Sequence, residues 1–224
     1  VVMDVHTGEV LSLVSTPSFD PNIFNRGLSR SEWKELASNP RTPLNNKAIA
    51  GQYAPGSTFK MVVALAALEK GIVTPKTRHF CSGEIELGDS TFHCWRKRGH
   101  GSMDLVSAIT QSCDVYFYEI AKRTGIDRIS AMARRLGLGQ ILDIELSGER
   151  KGLMPTRAWK KKVKRVSWQQ GETLLAGIGQ GFILTTPLQL AVMTSRLVNG
   201  GKAVKPHLTR HVVPFDAVEP PLPV

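Results

Sequence analysis

The sequence predicts an α+β fold, in which β-rich segments and helices occupy separate parts of the chain. Residues 1–5 and 10–14 are apolar and β-rich and flank the turn-like residues 6–9, which predicts a β-hairpin. Residues 57–70 predict a helix that is apolar on nearly every side, and such a helix lies inside a domain. Residues 103–136 repeat apolar residues at helical spacing.

The helix at residues 57–70 combines a buried body with a polar first turn. Pro55 and Gly56 interrupt any preceding element, Ser57 is a capping residue type and Gly71 can end the helix. Ser57 and Lys60 share one face at a spacing of i, i+3. Burial and the positive helix end both disfavour an ammonium group, so Lys60 can accept the Ser57 proton and make Ser57 a nucleophile. The alternative is a capping serine beside a lysine that extends to solvent.

The rest of the chain alternates irregular stretches with short elements. Residues 15–55 are irregular apart from a short helix at 31–38, with Ser29 or Ser31 as its cap. Short β-like pieces are predicted between residues 72 and 101, and three helices follow from residue 103 to residue 136. The remaining predictions are a basic, loop-rich insertion at 140–175, glycines at 177–181 that imply a close backbone approach, a helix from Pro187 to Val198 capped by Thr185 or Thr186, and a proline-rich end at 204–224.

Composition places the chain among globular proteins. It has 224 residues, 42% of them hydrophobic, and a net charge of +10. No run of about 18 apolar residues occurs. The sequence begins with Val-Val-Met-Asp-Val, which is neither a signal sequence nor an initiator methionine, so we expect residue 1 to lie inside a longer protein. The basic cluster at 160–165 lacks interleaved aromatic residues, so we expect no nucleic-acid binding. We expect this cluster to face anionic lipid head groups or a lipid-linked precursor.

Ser112 and Asp114 form a second pair of candidate residues. They lie at the junction of two predicted helices, about 55 residues after Ser57. A hydroxyl and a carboxylate on such a break can enter a cleft and join the proton relay of Ser57 and Lys60. A plain capping turn is the alternative.

Several motifs together resemble one family. These are Pro-Gly-Ser-Thr-Phe-Lys at 55–60, Ser-Cys-Asp at 112–114, Gly-Ile-Gly-Gln-Gly-Phe at 177–182 and Thr-Thr-Pro-Leu-Gln-Leu-Ala at 185–191. From residue 1 to about 210 the sequence resembles the transpeptidase domain of class B penicillin-binding proteins, most closely those of the elongation type. The resemblance implies the penicillin-binding protein and serine β-lactamase-like fold, an antiparallel sheet with a helical subdomain, and a single domain over residues 1–224.

The resemblance also implies a reaction. Ser57 would attack the penultimate D-Ala carbonyl of a peptidoglycan stem peptide, form an acyl-enzyme and then pass the acyl group to the amine of a neighbouring stem. Lys60 would be the base, Ser112 would carry the proton to the leaving amine, and Asp114 would orient Lys60 or the substrate. The Ser57 backbone N–H would form half of the oxyanion hole. β-Lactams would acylate the same serine.

The implied setting is the periplasmic face of the bacterial inner membrane. Expected partners are stem peptides, the lipid-linked precursor, and a glycosyltransferase and scaffold proteins of an elongation complex. The membrane anchor would lie outside these residues.

The third motif of the family, K-T-G or K-S-G, does not occur in residues 1–224; the nearest string is Lys76-Thr77-Arg78. In the family it lies on a strand that follows the region covered here, so we expect the sheet of this chain to be incomplete. Whether the chain is active by itself stays open. Two other functions are alternatives for this sequence: a non-catalytic, zinc-stabilised scaffold, and a β-lactamase or β-lactam sensor.

The three cysteines lie in one third of the chain. Cys81, Cys94 and Cys113, with His100, give the four ligands of a closed zinc site. Elongation-type penicillin-binding proteins look similar in carrying metal ligands at such places. His93 is a weaker candidate ligand. A Cys81–Cys94 disulfide or three inert thiols are the alternatives.

The predicted ligand set would tie residues 72–113 together as a zinc-stabilised subregion. Because Cys113 lies between Ser112 and Asp114, this subregion would also be joined to the second catalytic motif.

Overall fold

The computed structural model of the chain describes residues 1–209. Of the predicted proline-rich end, residues 210–224 lie outside the described residues. Within residues 1–209, no helix has the length and apolar character needed to cross a bilayer.

The described residues combine ten α-helices with six short strands, in agreement with the predicted α+β class. The helices are α1 Asn22–Asn25, α2 Arg30–Ser38, α3 Lys47–Ala50, α4 Lys60–Glu69, α5 Leu105–Thr110, α6 Asp114–Thr124, α7 Ile126–Arg135, α8 Arg157–Lys164, α9 Gln170–Gly177 and α10 Pro187–Val198. The strands are β1 Val2–Met3, β2 Val10–Ser12, β3 His79–Cys81, β4 Glu84–Leu87, β5 Ser90–His93 and β6 Gly101–Met103. They form three antiparallel pairs, β1 with β2, β3 with β6, and β4 with β5.

The N-terminal hairpin is confirmed. Strands β1 and β2 pair with Val2 opposite Ser12 and Met3 opposite Val10. The hairpin is held to the end of the described chain because the Val10 amide donates to the His207 carbonyl over 2.9 Å and the His207 amide donates to the Gly8 carbonyl over 3.1 Å.

Most predicted helix ends match the structure, because capping residues are visible in a sequence. Ser29 caps α2 through a reciprocal pair of hydrogen bonds with Glu32, and Thr186 caps α10 in the same way with Gln189. The predicted start of the 103–112 helix is wrong by two residues. Met103 ends strand β6, and Asp104 is the cap of α5.

The core surrounds α4, as its apolar body predicts. Helix α4 packs on α6 and α7, and α6 packs in turn on α9. The apolar face predicted for α7, which includes Ile126, Ile129 and Ala133, is buried against this core. A smaller cluster, which includes Val10 and Ile49, joins the hairpin to α3 and α10.

The predicted loop-rich insertion at residues 140–175 is wrong for its second half, where α8 and α9 form. Thr156 caps α8 by accepting from the Trp159 amide over 3.0 Å. Lys160 is 5% exposed and contacts the Glu172 carboxylate and the Ser167 carbonyl. Lys160 therefore joins α8 to α9 and is not part of a solvated basic loop, because a partly exposed acid on the next helix, Glu172, pairs with its charge.

The glycines at 177–181 make the close backbone approach that the sequence predicts. Gly179 has φ +70° and its carbonyl accepts from the Gly56 amide over 3.0 Å. A Cβ at Gly179 would overlap the Gly56 backbone, whereas one at Gly181, with φ +73°, would lie 3.5 Å from Leu175 Cβ. The loop after α9 therefore holds the segment that leads to Ser57.

We predict that Gly179→Ala destabilises the protein more than Gly181→Ala. Both substitutions carry the cost of a left-handed backbone, about 1–2 kcal/mol. Only Gly179→Ala also pushes on the Gly56 backbone, so its loss of unfolding free energy should exceed that of the control by roughly 2 kcal/mol. Urea unfolding measures both, and equal losses would show that the approach of residues 56 and 179 is not tight.

Candidate active site

Ser57 lies in a short 3₁₀ helix, Gly56–Phe59, immediately before α4. It does not cap α4, contrary to one prediction from the sequence, because α4 begins after Phe59 and has no side-chain cap. The Ser57 side chain is therefore not occupied by the helix end. Its backbone N–H is in the first turn of the 3₁₀ helix, where the helix supplies no acceptor.

Lys60 is the first residue of α4 and is 2% exposed. Its Nζ contacts three acceptors: the Ser112 carbonyl at 2.8 Å, Ser112 Oγ at 2.9 Å and Asp114 Oδ1 at 2.6 Å. An ammonium ion satisfies these contacts with three N–H groups, and an amine satisfies them with two N–H groups and a lone pair that faces Ser112 Oγ. The Nζ also lies 5.5 Å from the centre of the Phe117 ring.

Ser112 links Lys60 to Ser57. The Ser112 and Ser57 Oγ atoms are 2.8 Å apart, so a continuous hydrogen-bond chain runs from Ser57 through Ser112 to Lys60. Within the described residues, Lys60 Nζ makes its hydrogen bonds to Ser112 and Asp114 and none to Ser57, so the geometry differs from a direct serine–lysine pair. Ser112 has φ +51°, a left-handed backbone that non-glycine residues seldom adopt.

Asp114 is the first residue of α6 and is 9% exposed. One carboxylate oxygen accepts from Lys60, and the other accepts from the Trp95 amide over 3.0 Å. Its position at a helix N-terminus also favours a negative charge. In this geometry Asp114 contacts Lys60.

Trp95 is a residue that the sequence reasoning missed. Its side chain is 64% exposed, yet its indole N–H lies 3.1 Å from both the Gln111 and the Ser112 carbonyls. The available signal was its place next to Cys94, a predicted ligand, together with the rarity of a tryptophan in such a polar stretch.

The four predicted metal ligands lie together. The ligand atoms of Cys81, Cys94, His100 and Cys113 are all within 4.8 Å of one another, and all three cysteines are buried free thiols, so the Cys81–Cys94 disulfide is not formed. His93 is not in this group, since its Nδ1 lies 3.0 Å from Glu84 on the neighbouring strand.

The geometry of this group fits a tetrahedral zinc ion. His100 Nδ1 is 3.6 Å from Cys81 Sγ and 3.5 Å from Cys94 Sγ. A tetrahedral zinc ion about 2.3 Å from sulfur and about 2.0 Å from nitrogen would separate these atoms by roughly 3.5 Å. Burial lowers the pKa of His100, which favours the neutral, metal-binding imidazole. Burial, together with the neighbouring Cys81 and Cys94, raises the pKa of the Cys113 thiol to about 12.

Known proteins resemble both the sequence and the fold. Residues 1–223 match the family model of the penicillin binding protein transpeptidase domain. The chain is 44% identical over 214 residues to the peptidoglycan D,D-transpeptidase MrdA of Haemophilus influenzae. The aligned residues are 95% of this chain and 33% of that protein. The chain thus spans about a third of the length of this curated relative.

Two solved structures show the same architecture. PBP2 of Pseudomonas aeruginosa, in complex with WCK 5153, is 45% identical with a TM-score of 0.88 over 93% of this chain and 48% of that one. PBP2 of Helicobacter pylori, in complex with MreC, is 36% identical with a TM-score of 0.88 over 93% of this chain and 39% of that one. The antiparallel pairs and the helices around α4 are thus those of the penicillin-binding protein fold, as predicted. Sequence and structure together show that this chain belongs to the penicillin-binding protein transpeptidase domain family.

Proposed function

We propose that this chain carries the acyl-transfer centre of a peptidoglycan D,D-transpeptidase, with Ser57 as its nucleophile. The observation that carries the proposal is the hydrogen-bond chain from Ser57 through Ser112 to the buried Lys60. The relation to MrdA supports the same reaction, since that relative is a peptidoglycan D,D-transpeptidase.

In the acylation step, Ser57 Oγ attacks the carbonyl carbon of the penultimate D-Ala of a stem peptide. The Ser57 proton moves to Ser112 Oγ while the Ser112 proton moves to Lys60 Nζ, which receives it in its amine form. The C–N bond to the terminal D-Ala then breaks, and the leaving nitrogen takes a proton back through Ser112. The Ser57 N–H stabilises the oxyanion that forms on the substrate carbonyl oxygen.

In the transfer step, the amine of a second stem peptide attacks the acyl-enzyme. The same relay removes a proton from that amine and returns it to Ser57, so the cross-link forms and the enzyme is regenerated. Asp114 keeps Lys60 within reach of Ser112 through both steps, because it holds the Nζ at 2.6 Å.

A β-lactamase or β-lactam sensor is less well supported than a transpeptidase. A β-lactamase must activate a water molecule against the acyl-enzyme, and in residues 1–209 no glutamate forms a hydrogen bond with Ser57, Lys60 or Ser112. A non-catalytic scaffold would not need the buried lysine to reach the nucleophile through Ser112.

We predict that a penicillin forms a covalent adduct at Ser57, both in the protein at its full natural length and in residues 1–224. Ser57→Ala should abolish the adduct. Ser112→Ala should slow its formation by about 100-fold, since a positioned proton-transfer group contributes about that much. Intact-mass spectrometry with peptide mapping measures the adduct.

Thr58→Ala is the matched control for this experiment. Its hydroxyl is adjacent to Ser57 but donates to the Pro55 carbonyl over 2.8 Å, so its removal should leave the adduct in place. Acylation of the Ser57→Ala variant would contradict the assignment of the nucleophile. An adduct only in the longer protein would show that residues 1–224 need further sequence to react.

We also propose that Cys81, Cys94, His100 and Cys113 bind one zinc ion. When bound, zinc would act structurally, since four protein ligands leave no open position. The three sulfurs and His100 Nδ1 would hold it. What supports this assignment is the N···S spacing and the burial of three thiols around one imidazole. In this arrangement residues 72–113 form the zinc-stabilised subregion that the sequence predicts.

We predict about one zinc ion per chain in protein purified without added metal or chelator. His100→Ala should lose the metal and lower the melting temperature. His93→Ala should keep it, because His93 is exposed and faces Glu84. Elemental analysis and thermal unfolding measure both effects. Metal-free protein of unchanged stability would instead show that the cysteines are inert buried thiols.

We infer the partners and the location from the family. Substrates are stem peptides presented with the lipid-linked precursor, and the chain acts at the periplasmic face of the inner membrane. PBP2 of Helicobacter pylori was solved with MreC, so we extend a scaffold partner of that kind to this protein, and a glycosyltransferase partner by resemblance. We expect no organic cofactor.

A further inference from the structure

The break between α5 and α6 holds two carbonyl groups in place with an unusual donor. Helix α5 ends at Thr110, and the carbonyls of Gln111 and Ser112 lie beyond it, in the turn that leads to α6. The Trp95 indole N–H lies 3.1 Å from the Gln111 carbonyl and 3.1 Å from the Ser112 carbonyl. An exposed side chain thus donates to the turn that carries the catalytic motif.

The Ser112 carbonyl is shared between Trp95 and Lys60. It accepts from the indole over 3.1 Å and from Lys60 Nζ over 2.8 Å, which uses both of its lone pairs. These two bonds hold the peptide group of a residue whose φ of +51° is unfavourable for a serine. The direction of the Ser112 side chain depends on that backbone conformation, because Oγ must lie 2.8 Å from Ser57 Oγ.

The backbone of Trp95 contacts Asp114, the other residue of this motif that binds Lys60. Its amide donates to Asp114 Oδ2 over 3.0 Å, while Asp114 Oδ1 contacts Lys60. The indole packs edge to face on His100, with ring centres 5.3 Å apart. Main chain and side chain of one residue therefore hold both Ser112 and Asp114.

From this geometry we infer that Trp95 is a positioning residue for acyl transfer, whose indole N–H fixes the Ser112 backbone so that Ser112 Oγ bridges Ser57 and Lys60. The inference rests on the proposed function. It assigns Trp95 no contact with substrate, so its removal affects the rate of the covalent step and leaves reversible binding unchanged.

The test compares Trp95→Phe with Trp168→Phe in the protein at its full natural length. Both substitutions remove an indole hydrogen bond and keep an aromatic ring. The Trp168 N–H donates to Thr173 Oγ1 over 2.8 Å, a contact that involves none of Ser57, Lys60, Ser112 and Asp114. Rapid-mixing kinetics with a chromogenic β-lactam give the reversible binding constant and the acylation rate constant separately.

Trp95→Phe should lower the acylation rate constant about tenfold, which is the size of effect expected for one or two lost hydrogen bonds that act on the transition state. The reversible binding constant should not change, and Trp168→Phe should behave as the wild type. In a Ser112→Ala background, Trp95→Phe should have no further effect on the residual rate, because the hydroxyl that Trp95 positions is gone.

An acylation rate constant of Trp95→Phe equal to that of the wild type would overturn the inference. A tenfold loss of the residual rate in the Ser112→Ala background would also overturn it, because it would indicate a general structural role of Trp95. Absence of a Ser57 adduct in the wild type would instead overturn the proposed function, and this inference with it. If Trp95→Phe does not fold, benzothienylalanine at position 95 removes only the N–H and keeps the bicyclic ring. The same tenfold loss is then expected.

Discussion

The buried ion pair of Lys60 and Asp114 is the interaction on which the site depends. Lys60 is 2% exposed and Asp114 is 9% exposed, and loss of one partner from such a pair costs roughly 3–5 kcal/mol. Each is the first residue of its helix, α4 and α6. The positive end of a helix disfavours the charge of Lys60 and favours the charge of Asp114. Contact with the Asp114 carboxylate therefore offsets the unfavourable position of Lys60 at the start of α4. The fold must therefore bring two helix N-termini together.

Packing of the apolar helices achieves this. Helix α4 lies against α6, and the loop after α9 fixes the segment before Ser57 through the bond between Gly56 and Gly179. Because a protein interior is close-packed, small displacements of these helices would change the distances around Lys60. The packing that buries the apolar body of α4 therefore also fixes the geometry at its first turn.

The structural features that the sequence predicted correctly are those that depend on local residue types and spacing. The caps Ser29 and Thr186, the apolar face of α7 and the break at Ser112 could all be read from residue types and spacing. Helices α8 and α9 could not, because the apolar face of a short basic helix is narrow and the partner of Lys160 comes from the next helix. Ser57 was predicted as a cap, since the preference of serine for caps does not reveal a preceding 3₁₀ turn. The role of Trp95 depends on contacts with residues 111–114, which local sequence does not specify.

The turn from Ser112 to Asp114 contributes three consecutive side chains to two sites. Ser112 and Asp114 contact Lys60, while Cys113 lies with the sulfurs of Cys81 and Cys94. The left-handed backbone at Ser112 allows this, because it turns the chain sharply between α5 and α6. Cys94 and Trp95 are also neighbours that contribute to different sites. Cys94 belongs to the cysteine cluster, and the Trp95 amide donates to Asp114. The same two segments of backbone therefore determine the geometry of the cysteine cluster and the geometry around Ser57 and Lys60.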